Sequence, residues 1–515
     1  MMKSKIMKTT THYELFIIGG GINGCGLARD AAGRGFKVGL AEMNDLASGT
    51  SSVSTKLIHG GLRYLEHYEF RLVRDALKER ETILQMAPHI VRPLRFLLPY
   101  HKKLRSAWML RLGLFIYDYL GNWNQKLWRS RMVNFSKNFC STLKEEYQRG
   151  FEYSDARVDD ARLVIANARD AEKQGADIKV RTEVISIKRE KEKWLLFLRN
   201  KLNNTEYCVT ASYIVNMTGP WINHVLANIL DCKKNSPVRL VKGSHILVPK
   251  LYAHDRAYIF QNGDGRIIFS IPYQEVFTLL GTTDCDYQGD PADVHITDAE
   301  IDYLCTAASE YFIQPVLREK IVWTYSGIRP LYDDGASKAQ EITRDYVLKE
   351  MGTENMPRIL NLYGGKITTY RKLAEDAMKF VEKALGKRRG PWTKNSTLPG
   401  GDFPYDKLDT IENKIALLIP DLDTFTYRRL ARSYGSEALL IFENGKADKG
   451  KYFGHGLYEV EVKWLMEKEW AKTCEDVLWR RSKLGLLFNE KEIDALSAYM
   501  QDKKTANKID AHLTL

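Results

Sequence analysis

The sequence has no C-x-x-C pair and no Cys/His spacing of the kind that holds zinc, and its seven cysteines (Cys25, Cys140, Cys208, Cys232, Cys285, Cys305, Cys474) are odd in number and scattered over 515 residues. A disulfide framework and a zinc site are therefore not expected, and the thiols read as free in a reducing compartment. No metal site is expected elsewhere. No run reaches the ~20 apolar residues of a bilayer-crossing helix. The first eleven residues carry lysines but no apolar core of a secretory signal, which makes a cytoplasmic address the simplest expectation. Internal repeats, low-complexity tracts, helix-turn-helix and RNA-binding signatures and an EF-hand loop are also missing. These absences argue against a solenoid, a nucleic-acid partner and calcium.

What is present is the balance of a folded globular chain, 44% hydrophobic and 28% charged. The length suggests about two to four domains. Lys and Arg outnumber Asp and Glu by 77 to 65, for a net charge of +12. That excess favours an anionic partner, such as nucleic acid, acidic lipid or a phosphorylated substrate, without choosing among them.

Residues 13–18 form a short apolar run that ends on three glycines, and small helix-compatible residues follow from Ile22. A second apolar run, 37–41, ends at Glu42, so the segment predicts a βαβ unit. Its turn reads Gly19, Gly20, Gly21, Ile22, Asn23, Gly24, which is G-x-G-x-x-G between strand and helix. Gly19 permits the tight turn, Gly21 lets the backbone approach a pyrophosphate, and Gly24 lets helix and strand pack closely. Glu42 stands where a carboxylate accepts from ribose hydroxyls and would repel a 2′-phosphate, which argues against NADP; FAD and NAD stay open on this pattern. Further helices are predicted near 67–86 and 159–174, sheet with hairpins over 177–217 and 238–283, a linker over 386–404, and a helical region after about residue 395.

Residues 45–66 read DLASGTSSVSTKLIHGGLRYLE and closely resemble the FAD-dependent glycerol-3-phosphate dehydrogenases of the bacterial aerobic type. The likeness continues through 151–162 (FEYSDARVDDAR), 215–221 (VNMTGPW), 242–245, 281–284, 323–331, 342–346 and 363–372. The resemblance implies FAD as cofactor. It implies an α/β (overall α+β) chain with a glutathione-reductase-like FAD-binding domain over 12–80, 150–225 and 320–392. An antiparallel-sheet substrate domain would be inserted over 81–149 and 226–319, and a helical cap would follow over 393–515. It also implies oxidation of sn-glycerol 3-phosphate to dihydroxyacetone phosphate with hydride passing to flavin N5. The electrons would go to a membrane quinone from a protein bound peripherally at the inner face of the cytoplasmic membrane. An oxidase that makes hydrogen peroxide from oxygen is the alternative, and a homodimer stays open.

Such chemistry needs a phosphate clamp, a proton acceptor and positive charge near the reacting oxygen. Arg63, Arg329 and Arg344 sit in family-like motifs and are the clamp candidates, with Tyr64 and Thr368 as further substrate contacts. Lys366, after two glycines, offers a cation to flavin or substrate. His245 is the first choice of base and His59 the second, although either could instead be a satisfied structural histidine contacting FAD. The motif carries over Asn23, Ser51, Ser52, Ser54, Lys56 and Leu57 as cofactor residues, together with Val184, Thr218 and Gly219.

Residues 101–132 hold Lys102, Lys103, Arg105, Arg111, Lys126, Arg129 and Arg131 against one acid, Asp118, interleaved with Trp108, Leu112, Phe115, Trp123 and Trp128. The stretch suits an anionic membrane surface. The competing reading is an internal helix with basic ends beneath the substrate domain.

Overall fold

Five strands run parallel in the first of two large sheets: Arg358–Tyr363, Thr205–Asn216, Thr11–Ile18, Val38–Glu42 and Asp177–Val180, in that order. Strand Val347–Met351 adds antiparallel at one edge, and the hairpin Thr182–Glu190/Lys193–Asn200 pairs back onto Thr205–Asn216. The computed structural model describes residues 11–100, 106–121, 126–139, 142–230, 238–333, 345–353, 356–443 and 448–513. Thr11–Ile18 becomes a fully covered run at Leu15, Phe16, Ile17 and Ile18, as expected of a parallel strand with both faces packed. Helix Ile22–Gly33 packs closely on its neighbouring helix because its glycines leave room. A Cβ at Gly26 would fall 2.6 Å from the ring of Tyr370, which opens helix Tyr370–Leu385. Helices Asp160–Lys173 and Tyr370–Leu385 complete that layer, and Asp159 caps the former by accepting from the Arg162 amide.

The second sheet has ten strands. It is mixed, not purely antiparallel as expected: Ala257–Gln261 runs parallel to Val91–Pro99, while the other pairs are antiparallel. Strands Leu57–Ile58, Arg149–Val158 and Trp323–Tyr332 belong to this sheet, although the boundaries drawn from the family put all their residues but Arg149 in the FAD-binding domain. A continuous apolar strand tells that it is buried, not which sheet its backbone joins. Helices Phe70–Met86 and Ala107–Leu120 pack on one face of this sheet and Asp298–Ser309 on the other.

The C-terminal region is helical apart from one small hairpin, Tyr452–Gly454/Leu457–Tyr458. It has its own core around Ile415, Leu430, Phe442, Leu465 and Leu496. Buried ion pairs join it to the rest: Arg162 with Glu469, and Asp45 with both Arg480 and Arg481 at 2.6 Å. Asp45 opens the loop that follows Glu42, so the helical region braces that loop. Among the described residues no helix is long and apolar enough to cross a membrane.

Candidate functional site

The carboxyl ends of the parallel strands, at Ile18, Glu42, Met217 and the Gly364–Gly365 turn, all open onto one cavity of about 900 Å³. Open α/β sheets place their ligands at such strand ends. The glycine turn has the geometry of a close backbone cradle. Gly19 has φ +110°, and a Cβ there would lie 2.7 Å from the Met217 carbonyl oxygen. At Gly24 a Cβ would lie 1.9 Å from the Gly19 carbonyl oxygen. Gly21 precedes helix Ile22–Gly33, whose first turn has no acidic side chain, and the Ile22 amide donates to Ser51 Oγ at 3.0 Å. Helix amides of this kind are a site for pyrophosphate. The Glu42 carboxylate, at the strand end, accepts from the Gly20 and Asn44 amides at 2.7 and 2.8 Å, and burial pushes its pKa above the usual range. The wall between these points includes Gly19, Gly21, Ile22, Asn23, Ser51, Ser54, Leu57, Val184, Thr218 and Gly219.

Four expected cofactor residues stand behind this wall. Gly20 presents its amide to Glu42, and Gly24 serves helix-to-strand packing. The Ser52 hydroxyl turns to the Gly49 carbonyl at 3.4 Å. Lys56 is buried with its ammonium between the two Asp160 carboxylate oxygens at 2.7 and 2.8 Å, and it also donates to the Ser52 carbonyl. That charge is compensated within the protein, so Lys56 shapes the serine loop and does not face the cavity.

His59, Arg63, Tyr64, Arg329, Lys366 and Thr368 line the same cavity. Arg63 sits on the turn Leu62–His67 just after Gly61, whose φ of +77° only glycine adopts readily, and it makes no ion pair with a described residue. Lys366 Nζ lies 4.0 Å above the centre of the Tyr64 ring. The His59 amide donates to Thr368 Oγ1 at 3.4 Å, which ties the histidine turn to the lysine loop. Arg329 donates to Asp284 at 2.6 Å and to Thr282 Oγ1 at 3.1 Å. Its guanidinium lies over Gly243, where a Cβ would come within 2.5 Å. Arg344 falls outside the described residues.

The first choice of base needs correction. His245 is not on the cavity wall: it is buried on strand Val238–Pro249, stacked on Tyr325 at 4.7 Å, with Nε2 bonded to Thr55 Oγ1 at 3.1 Å and Nδ1 without a partner. Burial, with Arg329 and Lys56 nearby, drives its pKa well below the usual range. His59, by contrast, lines the cavity, as do the exposed His67 and His224, and of these His59 is the one tied to the Lys366 loop. Burial lowers its pKa, Asp155 opposes this, and Lys366 and Arg80 reinforce it, so the ring is neutral at neutral pH. Sequence reasoning passed over Asp284, Thr282 and Gly243 as site residues. Their signal was present in the family-like stretches 242–245 and 281–284.

On helix Ala107–Leu120 the residues Trp108, Leu112 and Phe115, at i, i+4 and i+7, are exposed, with Met109 beside them. Leu114, Tyr117 and Asp118 face inward. Trp128 and Met132 are exposed too, and Arg129 stacks over the Tyr119 ring at 4.4 Å. The helix is therefore not internal. Lys102, Lys103, Arg105 and Trp123 fall outside the described residues.

Residues 14–371 match the FAD dependent oxidoreductase family, and residues 391–505 match the C-terminal domain of alpha-glycerophosphate oxidase. The chain is 47% identical over 495 residues to a glycerol-3-phosphate dehydrogenase of Pseudomonas aeruginosa, covering 95% of each. It is 46% identical over 482 residues to a D-erythritol 1-phosphate dehydrogenase of Brucella abortus, covering 93% of this chain and 96% of the relative. Among solved structures it is similar to the glycerol-3-phosphate dehydrogenase from Bacillus halodurans complexed with FAD. That match has a TM-score of 0.73 and 26% identity, and covers 96% of this chain and 95% of that one.

Proposed function

This chain belongs to the glycerol-3-phosphate dehydrogenases within the FAD dependent oxidoreductases, with FAD as cofactor, and on that premise we propose that it oxidises sn-glycerol 3-phosphate to dihydroxyacetone phosphate and passes the electrons to a membrane quinone. One observation carries the reading. One cavity brings together a pyrophosphate cradle, the cations Arg63, Arg329 and Lys366, and His59 beside the lysine loop.

The close-packed turn fits the cofactor. The backbone at Gly19, Gly21 and Ile22 would take its pyrophosphate, Glu42 its ribose, and Val184, Thr218 and Gly219 the flanking groups. When bound, FAD supplies the acceptor for the hydride that leaves the alcohol carbon. The remaining work falls to side chains. Arg329, held in one orientation by Asp284 and Thr282, presents a planar fork to the substrate phosphate, and Arg63 adds a second. A neutral His59 ring nitrogen takes the hydroxyl proton as the C–H bond breaks and the carbonyl forms. The Lys366 ammonium stabilises the negative charge that gathers on that oxygen.

The exposed apolar and basic face of helix Ala107–Leu120 supports peripheral attachment to the inner face of the cytoplasmic membrane, where a quinone would be met. A second substrate reading has a specific basis, because the Brucella relative is named for a four-carbon polyol phosphate. A clamp that reads phosphate next to a secondary alcohol would accept either. The test is kcat/KM for glycerol 3-phosphate against D-erythritol 1-phosphate, with reoxidation by a quinone compared with air. Preference for glycerol 3-phosphate and for quinone supports the proposal. Preference for the four-carbon phosphate replaces the substrate, and fast reoxidation by air with peroxide release replaces the acceptor.

A further inference from the structure

The turn His59, Gly60, Gly61 is held from behind by a buried polar network that the mechanism above does not use. The Gly60 amide donates to the Tyr117 hydroxyl at 2.8 Å. That hydroxyl donates to Asp155, whose oxygens lie 2.9 and 2.8 Å away. Arg80 donates to Asp155 at 2.8 Å and to the Ser154 carbonyl at 2.9 Å. All three side chains are about 1–2% exposed. A Cβ on Gly60 would lie 2.7 Å from the Tyr117 hydroxyl, so the backbone rests directly on it. On its other side the His59 amide meets Thr368 Oγ1. The peptide units flanking His59 are thus fixed from two directions, one of them reaching the Lys366 loop and the other the second sheet.

Buried polar groups in this number are costly unless they specify something. A hydrophobic residue at 117 would fill the space as well and need no carboxylate. What the network supplies is a defined direction for the Gly60 amide and a carboxylate, Asp155, whose Oδ1 lies 3.4 Å from that amide in the residue next to His59. We propose that Tyr117 and Asp155 are positioning residues for the oxidation: Tyr117 fixes the turn that aims His59 into the cavity, and Asp155 stabilises the imidazolium formed when His59 takes the substrate proton. Arg80 moderates that charge, so the carboxylate favours the imidazolium without keeping His59 protonated at rest. The proposal rests on His59 being the base.

The test uses holoenzyme variants Y117F, D155N and H59N, each checked for flavin content and melting temperature. Loss of aim acts on the chemical step, so Y117F is expected to lower kcat about ten- to hundred-fold with KM for glycerol 3-phosphate changed less than about threefold. D155N removes the charge and keeps the shape, so the acidic limb of its kcat/KM profile is expected to move to lower pH as kcat falls. A merely structural role would move melting temperature and flavin content and leave the pH limb in place. H59N separates the two claims. If H59N keeps both its activity and its acidic limb, the base assignment fails and this proposal with it. If H59N is inactive while fully loaded Y117F and D155N keep wild-type kcat and pH limb, the base stands and the positioning role is overturned. Failure of both Y117F and D155N to fold would assign the network to the core and overturn the proposal too.

Discussion

Gly24 and Gly21 stand three residues apart in the same turn and are expected to fail in different ways when each becomes alanine. At Gly24 the new Cβ would sit 1.9 Å from the Gly19 carbonyl oxygen, where ordinary contact begins at 3.4 Å, a deficit of 1.5 Å against backbone. Helix Ile22–Gly33 cannot simply retreat, because Asp160–Lys173 and Tyr370–Leu385 pack against it. Overpacking of this kind costs roughly 1–3 kcal/mol. Replacing a helical glycine returns up to about 1 kcal/mol, so a net loss of up to about 2 kcal/mol is expected, with the turn amides displaced from the pyrophosphate. At Gly21 the nearest heavy atom is Ser51 Oγ at 3.1 Å, a side chain that can give way, but the methyl group would stand on the cavity wall. Melting of the flavin-free protein and fluorescence titration with FAD read the two effects apart. G24A should lower both melting temperature and FAD affinity, whereas G21A should lower FAD affinity about tenfold or more and leave the melting temperature nearly unchanged. Wild-type FAD affinity in both variants would refute the cradle.

Neutral replacements R329M and R63M should each lower kcat/KM by about one to two orders of magnitude at unchanged flavin content, the cost of roughly 1.5–3 kcal/mol for a charge-assisted bond; wild-type kinetics in both would remove the clamp. Because His59 must be neutral to act and its pKa is depressed, kcat/KM should hold steady through pH 7 and fall only as pH drops through a value below the ordinary imidazole 6.5. An acidic limb at or above 6.5 in the wild type would contradict that assignment. W108E with L112E should weaken binding to anionic vesicles while turnover with a soluble dye stays near wild type, because both side chains face outward. Arg131 is a poor choice for that test, since its guanidinium holds the buried Glu152 carboxylate at 2.7 Å.

The glycine turn and Glu42 were legible because their spacing fixes backbone geometry within one βαβ unit. The substrate cations were legible only through family-like motifs. Nothing in their local pattern shows that Arg63, Arg329 and Lys366, from three distant segments, share a cavity. The choice between His245 and His59 turned on depth along a strand. Gly243 lines the cavity, yet two residues further on His245 lies under Thr55, a distinction that periodicity does not carry. Lys56 reads like its neighbours in the serine loop, but its partner Asp160 is more than a hundred residues away. Helix Ala107–Leu120 was visible as apolar and basic, and only packing of Leu114 and Tyr117 on the second sheet decides that Trp108, Leu112 and Phe115 face outward.

The central claim is that this cavity oxidises glycerol 3-phosphate with its own FAD, and one anaerobic experiment tests it most directly. Glycerol 3-phosphate is added to the purified yellow protein without any other acceptor, and flavin absorbance is followed while the product is assayed. The account predicts that the flavin bleaches with one equivalent of dihydroxyacetone phosphate formed per flavin, and that H59N does not bleach on the same timescale. A flavin that stays oxidised in the wild-type protein at saturating glycerol 3-phosphate would contradict it.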